Sequence, residues 1–555
     1  MQIDKYNNFS KKELIDEITK LKKRKKFGLV WEDKKEKVIE DCKNNFPILD
    51  EIKKKEIVKD QKLNHNIIIE GDNYHSLSVL NYTHSEKVDL IYIDPPYNTG
   101  KSKEFKFNDK WVDINDGYKH SKWLSFMNRR LVLAKNLLKK TGVIILSIDN
   151  NEFYNLKNLC DHIFKENNFV GSLIWRKKEG GGQTDDYFVT EHEYVLIYQK
   201  SNLFKWKDET ILEDEKKYTK KDEHGKFVTI NLAKWGAGSR KEDRPTMHYP
   251  IKSPDEKRIF PVAPDGNDGR WRVGKKRMDY LKDNNLIHWS KNSENNWIAK
   301  EKIYFDAKKE IKIKERSILY DVVGGTAEGT NELTEIFGKK DIFENPKPTS
   351  LIEFFLKHTT EQNSTILDFF AGSGSTGHAV LKYNSLDNGS RKFILCTNNE
   401  DSICDKVCYP RISKTINGYK SKKRSYKSLI SNLKYFKTSF IPFSDNDKNK
   451  LLLTQRVTEM LCIKENTFQE VANNSKYKIF KHNNNFTIIV YDQLFIDEIK
   501  KVIKKIIGDI KIYIFSLGND TFEEEFDNYE NVSVEPVPQP IISTYKRIFN
   551  QQDDT

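Results

Sequence analysis

One short stretch, which reads LIYIDPPYNTG, restricts the fold of this chain more than any other. Residues Val88–Ile93 are mostly apolar and rich in β-branched side chains, which predicts a buried β-strand. Pro95 and Pro96 cannot continue a ladder of backbone hydrogen bonds, so the strand must end there. Asp94 and Tyr97 are therefore expected at its carboxyl end, where open parallel sheets bind ligands. A strand that ends in an ordinary proline-rich turn is the alternative.

A second stretch, Ile366–Gly377, has the same organisation. It reads ILDFFAGSGSTG, an apolar strand and a glycine-rich turn, and a helix is predicted from His378. Gly372 and Gly374 let a ligand approach the backbone closely, and the helix N-terminus favours polar or anionic groups. The turn lacks the lysine of a phosphate-binding P-loop and the full G-x-G-x-x-G spacing. Alone it suits NAD, FAD or a nucleotide phosphate, so the pair of stretches is more specific than either one.

Strands and helices alternate through the sequence around both stretches. A further strand begins at Ile67 and ends in an acidic turn at Asp72. Alternation at these lengths predicts an α/β fold with a parallel, doubly wound sheet. The other predicted elements are the strands Gly142–Asp149, Glu193–Tyr198 and Arg391–Asn398 and the helices His75–Asn81, Ser121–Lys139, Leu156–Phe164 and Ser350–Lys357.

The order of the two stretches carries a family resemblance. DPPY at residues 94–97 precedes FAGSG at residues 370–374, and in this order the chain resembles the permuted (β) class of amino-group DNA methyltransferases. The longer form DPPYNTG is similar to the adenine-N6 enzymes of restriction–modification systems, including type III modification (Mod) subunits. The similarity covers most of residues 28–420 and is weaker between about 205 and 335.

The resemblance implies a Rossmann-like, permuted methyltransferase sheet of seven strands. It also implies an inserted target-recognition region and leaves a small C-terminal α/β appendage in which a strand–helix–strand unit is predicted. Dimerisation or partner docking is the role we expect of that appendage. The expected regions are an N-terminal helical arm (1–65), a catalytic half (66–204), the target-recognition region (205–335), a cofactor-binding half (336–420) and the C-terminal accessory domain (421–555).

The DPPY residues suit the methylation of an amino group. The lone pair of the adenine N6 nitrogen is delocalised into the ring, so two acceptors must draw the nitrogen towards tetrahedral geometry. The Asp94 carboxylate and the Pro95 carbonyl suit this role, through geometry more than through base strength. Pro96 fixes the backbone, and Tyr97 offers a ring on which an extruded base can stack.

S-adenosyl-L-methionine is the methyl donor that the resemblance implies, and no metal ion is needed. Asp368 is expected near its ammonium group, Phe369 against its adenine, and Glu400 on its ribose hydroxyls. A helix cap is the alternative for each carboxylate, and a turn is the alternative for Lys347. The predicted cofactor residues are Asp72, Lys347, Asp368, Phe369, Ala371, Gly372, Ser373, Gly374 and Glu400.

Region 205–335 interrupts the strand–helix alternation with basic and aromatic residues between glycines and prolines. Such a pattern suits DNA reading, because cations hold phosphates while loop side chains reach base edges. An irregular insertion with a solvated basic surface is the alternative. The predicted DNA-binding residues are Arg240, Arg244, Arg270, Trp271, Arg272 and Lys275.

Composition is consistent with a polyanionic partner. The 555 residues carry a net charge of +13, although a lysine-rich proteome would give a similar excess. A basic run within the predicted helix Lys11–Lys26 is either a solvated face or a contact for DNA or a partner. The six cysteines are sparse and irregular, so we expect a reduced, cytoplasmic protein without a zinc site. The resemblance implies in addition a bacterial protein associated with the nucleoid. No apolar run reaches membrane-spanning length.

The expected function is that of a site-specific, adenine-specific DNA-methyltransferase acting on a flipped base in duplex DNA. Cytosine-N4 methylation by the same fold is an alternative, although that group usually carries Ser in place of Asp94. RNA or protein-glutamine methylation usually shows Asn there. A catalytically inactive DNA-binding partner subunit is another alternative, against which both intact motifs count. The resemblance allows a homodimer, and in a type III system a separate translocase–nuclease restriction subunit; no membrane partner is expected.

Overall fold

The computed structural model describes residues 9–23, 29, 31–100, 104–180, 187–442, 446–518 and 520–550. The chain divides into two compact units, which we call the core unit (Met1–Lys207 and Arg316–Thr555) and the inserted unit (Asp208–Glu315). The inserted unit is shorter than the predicted region 205–335, because the segment after it adds a strand and a helix to the core unit. None of the helices in the described ranges has the length and apolar character that a membrane crossing requires.

The N-terminal part of the core unit contains the DPPY stretch. Its elements are α1 (Lys11–Lys23), α2 (Lys37–Asn44), β1 (Asn45–Glu51), β2 (His65–Glu70), α3 (Asn73–Thr83), β3 (Val88–Ile93), β4 (Lys106–Phe107), β5 (Lys110–Trp111), α4 (Lys119–Leu137), β6 (Leu138–Ile148), α5 (Phe153–Phe164), β7 (Phe169–Arg176) and β8 (His192–Gln199). The last residues of the predicted basic helix, 24–26, lie outside the described residues.

The inserted unit is built mainly from short antiparallel strands. Its elements are β9 (Glu209–Leu212), β10 (Lys220–Asp222), β11 (Gly225–Asn231), β12 (Ile251–Lys252), β13 (Arg258–Ile259), α6 (Lys275–Asp283), β14 (Ile287–Lys291), β15 (Trp297–Tyr304) and β16 (Glu310–Ile313). Four of these strands form a sheet in the order β10-β11-β15-β14.

The core unit resumes with the glycine-rich stretch and a C-terminal region. The elements up to the end of the main sheet are β17 (Ile318–Leu319), α7 (Thr326–Phe337), α8 (Thr349–Thr359), β18 (Thr365–Asp368), α9 (Ser375–Asp387), β19 (Lys392–Thr397), α10 (Tyr409–Asn417), β20 (Tyr419–Lys420), β21 (Ser425–Tyr426) and β22 (Asn432–Pro442). The remaining elements are α11 (Asp447–Arg456), α12 (Thr458–Glu465), β23 (Gln469–Asn473), β24 (Tyr477–His482), β25 (Asn485–Val490), α13 (Ile496–Ile503), β26 (Asp509–Phe515), β27 (Val532–Val537) and α14 (Gln539–Asn550).

The predicted α/β fold is confirmed, with a larger sheet than expected. In the described part of the core unit, ten strands form one sheet in the order β1-β22-β2-β19-β18-β3-β6-β8-β7-β17. The strands from β22 to β6 are parallel, and β8 is antiparallel to both its neighbours. The sheet exceeds the predicted seven strands because β1, β22 and β17 extend the seven from β2 to β7. β1 and β22 come from the regions predicted as an N-terminal arm and a C-terminal appendage, and they cover the edge of β2.

The two halves of the sequence interleave within this sheet. β18 lies beside β3, with Ile366 opposite Leu90 and Leu367 opposite Ile91. β19 lies between β18 and β2. Because these strands are parallel, their carboxyl ends share one edge, and the two sequence stretches meet there.

The C-terminal region forms its own five-stranded sheet, β23-β24-β25-β26-β27, and packs on the rest of the core unit. The predicted strand–helix–strand unit is present as β25, α13 and β26, with the two strands parallel. Ile541 and Tyr545 of α14 belong to the same hydrophobic cluster as Phe46 and Tyr74. The Tyr545 hydroxyl donates a hydrogen bond to the Pro47 carbonyl (2.6 Å). One face of this region is therefore buried against the N-terminal part of the core unit.

This packing predicts that Ile541→Ala destabilises the whole core unit. Ile541 is fully buried, and removal of such a side chain lowers the free energy of unfolding by about 2–5 kcal/mol. Thermal unfolding should show a lower Tm for the main transition. Leu494→Ala, at a position 89% exposed in the same region, is the matched control and should leave the Tm unchanged. An unchanged main transition in Ile541→Ala would contradict the docking of α14.

Candidate active site

A cavity of about 420 Å³ opens at the shared carboxyl edge of the sheet. Asp94 and Pro96 of the DPPY stretch line it. Of the predicted cofactor residues, all except Gly374 line it as well. Gly374 instead forms the N-cap of α9. Two stretches that are far apart in sequence therefore build one site.

Asp94 lies in a cluster of four side chains, which we call the Asp94 cluster: Asp94, Tyr97, Glu193 and Lys347. The Tyr97 hydroxyl is 2.6 Å from Asp94 Oδ1 and 2.9 Å from Glu193 Oε2. Lys347 Nζ donates to Asp94 Oδ2 (2.8 Å) and lies 3.2 Å from Glu193 Oε2. Both carboxylate oxygens of Asp94 thus have a partner, and Lys347 connects the DPPY turn with the segment that precedes α8.

The Asp94 cluster holds two carboxylates and one ammonium in a buried place. Burial raises the pKa of Asp94, and the nearby Lys347 opposes that rise. Burial would also raise the pKa of Glu193, but Lys347 and Lys177 together bring it below the usual value. Burial alone would lower the pKa of Lys347, and the two carboxylates outweigh it, so its pKa is raised. Glu193 and Lys347 are therefore charged, and Asp94 is the carboxylate with increased proton affinity.

Neighbouring side chains brace the turn that carries Asp94. The Trp123 indole donates to the Pro96 carbonyl (2.7 Å). Asn98 adopts a left-handed backbone conformation (φ 57°) and donates its amide to the buried Glu152. The backbone amide of Thr99 donates to the Glu104 carboxylate (2.8 Å). The Tyr97 ring is half-buried with its hydroxyl inside the Asp94 cluster, and its stacking role stays a prediction.

The glycine turn owes its shape to two left-handed residues. Gly372 has φ 49° and Gly374 has φ 79°. A Cβ atom on Gly374 would lie 3.2 Å from Cys408 Sγ, and one on Gly372 would lie 3.1 Å from the Phe343 ring. A side chain at either position would strain the backbone and crowd the cavity wall. The turn can therefore approach a ligand with its backbone.

Asp368 orders the glycine turn and faces the cavity. One of its oxygens accepts from the Phe370 amide (2.9 Å), and the other accepts from the Thr376 hydroxyl. Burial raises its pKa to about 7. Its charge therefore changes near neutral pH.

Sequence reasoning missed two buried residues that support the site. Glu193 is one, although an acidic residue at the start of the apolar strand EYVLIY was a usable signal. Arg411 is the other: its buried guanidinium donates to Ser373 Oγ (3.1 Å) and pairs with Glu332 (3.0 Å). Arg411 thus anchors the back of the glycine turn, and no local sequence pattern marks it.

Asp72 and Glu400, the other acidic residues predicted to contact the cofactor, also line the cavity. Asp72 is the N-cap of α3 and accepts from the Tyr74 amide (2.7 Å), so the helix-cap alternative describes it while it also lines the cavity. Glu400 lies on the cavity wall and pairs with Lys106 (3.0 Å). The roles of both towards a cofactor stay predictions.

Within the inserted unit, the predicted DNA-binding residues differ in exposure. The prediction for Trp271 is wrong: it is only 2% exposed and donates its indole N–H to the Tyr249 carbonyl, so it belongs to the core of the unit. Arg240 pairs with Asp265 (2.6 Å), and Arg270 donates to the Gly238 carbonyl. The exposed residues without an ion pair to any described residue are Arg244, Arg272 and Lys275.

The middle part of the chain matches a known protein family. Residues 88–406 match a family described as DNA methylase. The chain belongs to that family. The matched range begins at β3 and includes both sequence stretches, whereas Asp72 and the other cavity residues before β3 lie outside it.

Named relatives of this DNA methylase family member come from bacteria and a phage. The type II methyltransferase M.KpnI of Klebsiella pneumoniae is 35% identical, over 67% of this chain and 88% of that protein. The StyLTI Mod subunit of Salmonella typhimurium, from a type III system, is 32% identical over 63% of this chain and 55% of that protein. The EcoPI Mod subunit of Escherichia phage P1 is 33% identical over 60% and 58%. The chain thus spans little more than half the length of these Mod subunits.

The Asp94 cluster predicts an unusual pH dependence of stability in Lys347→Met. Removal of the ammonium leaves Asp94 without an ion pair and leaves Glu193 with Lys177 alone, which lowers the free energy of unfolding by about 3–5 kcal/mol. The carboxyls then bind protons more readily in the folded state than in the unfolded chain, so stability rises as pH falls. Thermal unfolding should show a large Tm deficit at pH 8 that narrows towards pH 5. Lys178→Met, an exposed lysine, is the control; an equal Tm for Lys347→Met and the parent at pH 8 would contradict the role of Lys347.

Proposed function

We propose that this protein is a site-specific DNA methyltransferase, which transfers a methyl group from S-adenosyl-L-methionine to N6 of an adenine in duplex DNA within a restriction–modification system. One observation carries the proposal: Asp94 of the DPPY turn and Asp368 of the glycine turn line the same cavity. Membership of the DNA methylase family supports it, as do the relatives named as methyltransferases and Mod subunits.

The residues of the cavity fit the proposed cofactor chemically. S-adenosyl-L-methionine carries a positive sulfonium and ammonium, two ribose hydroxyls and an adenine ring, and it supplies an electrophilic methyl group. Asp368 would hold the ammonium, Glu400 would accept the ribose hydroxyls, and Phe369 would pack near the adenine. Gly372 provides the close backbone approach that such a ligand needs.

The Asp94 cluster suits activation of an amino nitrogen. The target amino group would donate to Asp94 Oδ1 in place of the Tyr97 hydroxyl, which occupies that oxygen here. Lys347 keeps the second oxygen of Asp94 fixed. Hydrogen bonds from the amino group to such acceptors would draw the nitrogen towards tetrahedral geometry and direct its lone pair at the methyl group. The raised proton affinity of Asp94 suits it to accept the proton that the nitrogen then loses.

Adenine is the favoured base, and cytosine-N4 is the second candidate. The aspartate at position 94 favours adenine, because cytosine-N4 methyltransferases of the same fold usually carry Ser at that position. One relative is named as a DNA adenine methyltransferase, the YhdJ protein of Escherichia coli, at 27% identity over 24% of this chain. The name of the matching family includes both N6 and N4 methylation, so the modified base has to be identified by experiment.

The partners of the protein are part of the proposal. Type II methyltransferases and type III Mod subunits both occur among the relatives, so a separate translocase–nuclease subunit is proposed for the type III case. A homodimer is proposed as well. Light scattering of the purified chain, with and without cognate DNA, tests the dimer, because a mass of one chain in both samples would contradict it.

Loss of Asp94 should abolish methylation while the fold remains. Long-read sequencing of DNA from a methylation-free host that expresses the chain should show N6-methyladenine at one short motif. Asp94→Ala should reduce the mark at least 100-fold, because the amino group loses its charged acceptor. Asp497→Ala, 91% exposed and in the C-terminal region, is the matched control. N4-methylcytosine from the parent would favour the second candidate, and unmodified DNA from soluble, cofactor-binding parent would contradict the proposal.

Cofactor affinity should depend on the charge of Asp368. Its pKa of about 7 means that the carboxylate is ionised at pH 8 and mostly protonated at pH 6. Calorimetric titration with S-adenosyl-L-methionine should show binding at least tenfold weaker for Asp368→Asn than for the parent at pH 8, since a charged hydrogen bond is lost. The difference should narrow at pH 6, where the parent is neutral too. Equal affinities at pH 8 would remove Asp368 from the cofactor site.

A further inference from the structure

A second cavity lies within the inserted unit, and no predicted catalytic or cofactor residue belongs to it. It is a groove of about 440 Å³. Its lining includes Asn231, Lys234, Trp235, Arg272 and Lys300. We call it the 231–300 groove.

The walls of the 231–300 groove rest on a fixed backbone framework. Asn231 at the end of β11 lies opposite Lys300 on β15 in the strand register. The Lys234 amide donates to the Arg270 carbonyl (2.9 Å), and the Arg272 amide donates to the Leu232 carbonyl (2.7 Å). Beneath this framework lies a small core of buried residues, namely Leu232, Trp271, Met278, Leu281 and Ala299. The groove side chains therefore project from a rigid platform.

The 231–300 groove carries positive charge without a negative counterpart. Its ionisable lining residues are Lys234, Arg272 and Lys300, and none of them forms an ion pair with a described acidic residue. Other cations of the inserted unit are neutralised: Arg240 by Asp265, Lys241 by Asp268, Arg277 by Glu301 and Lys302 by Asp222. A concave surface with unpaired cations attracts a polyanion.

The chemistry of the groove includes more than charge. Trp235 is 60% exposed, although an indole of that size is usually buried. The Asn231 side-chain amide lines the groove and forms no hydrogen bond with the described residues. An amide can donate to and accept from one base edge at the same time, as Asn does with N6 and N7 of adenine. An exposed indole stacks on bases or packs on sugars.

We propose that the 231–300 groove is a DNA-reading surface of this protein. Asn231 contacts the edge of a base, Trp235 packs against the nucleic acid, and Lys234, Arg272 and Lys300 hold phosphates. The proposal rests on the proposed function, which supplies duplex DNA as the ligand. It assigns DNA contact to the exposed Trp235 and to Asn231 instead of the sequence-predicted Trp271, which is buried.

The first test measures phosphate contacts. The full-length chain and the triple variant Lys234→Ala/Arg272→Ala/Lys300→Ala are titrated with duplex DNA that carries the methylated motif, at several salt concentrations. The slope of log K, where K is the association constant, against log[salt] is negative, and its magnitude should be smaller by about 2–3 in the triple variant. The affinity at 0.15 M salt should fall at least tenfold. Lys252→Ala removes a cation that pairs with Glu256 and should change the slope little. An unchanged slope in the triple variant, or an equal loss in Lys252→Ala, would overturn the proposal.

The second test measures base reading. Long-read sequencing of a host that expresses Asn231→Ala should show methylation at sites with one altered base of the motif, raised about tenfold over the parent. Because Asn231 is partly exposed, the variant should keep the parental Tm. An unchanged motif in a folded, active Asn231→Ala would overturn the reading role. If the parent methylates DNA and the groove variants behave like it, only this inference fails; if the parent leaves DNA unmodified, the proposed function fails.

Discussion

The parallel pairing of β18 with β3 is the interaction on which the site depends. It joins a segment that precedes the inserted unit in the sequence to one that follows it, with Leu90 opposite Ile366. Because the strands run in the same direction, the turns that follow them open at the same edge. One turn then brings Asp94 and the other brings Asp368 to a common cavity. Without this strand pair, the DPPY turn and the glycine turn would not line a common cavity.

Electrostatic compensation is the second requirement of the site. The cavity wall carries several carboxylates, which suits a cationic ligand and an amino group, but buried carboxylates destabilise a fold unless they are paired. Lys347, which itself lines the cavity, pairs with Asp94 and Glu193, and Arg411 pairs with Glu332. The acidic character of the cavity is thus maintained by cations that are themselves buried.

Local sequence patterns predicted the elements next to the chemistry well. The strand Val88–Ile93 has the predicted bounds, and the acidic tips Asp94 and Asp368 lie at the cavity, because hydrophobic runs and proline or glycine turns act locally. Glu193 was missed, since its importance comes from contacts with residues distant in sequence. Trp271 was misjudged because a basic, aromatic pattern does not distinguish a buried indole from an exposed one. The strand β22 was placed in an appendage, since pairing partners across the chain leave no local pattern.

The interleaved order of the main sheet also affects how the protein is made. β2 and β3 are near in sequence, yet two strands from residues 365–397 separate them in the sheet. A ribosome must therefore synthesise the inserted unit and the glycine-rich half before β2 can pair with β19 and β3 with β18. Until then the nascent N-terminal half exposes unpaired strand edges, which makes it prone to aggregation and slow to fold. The cavity would thus form late, when β18 and β19 enter the gap between β2 and β3.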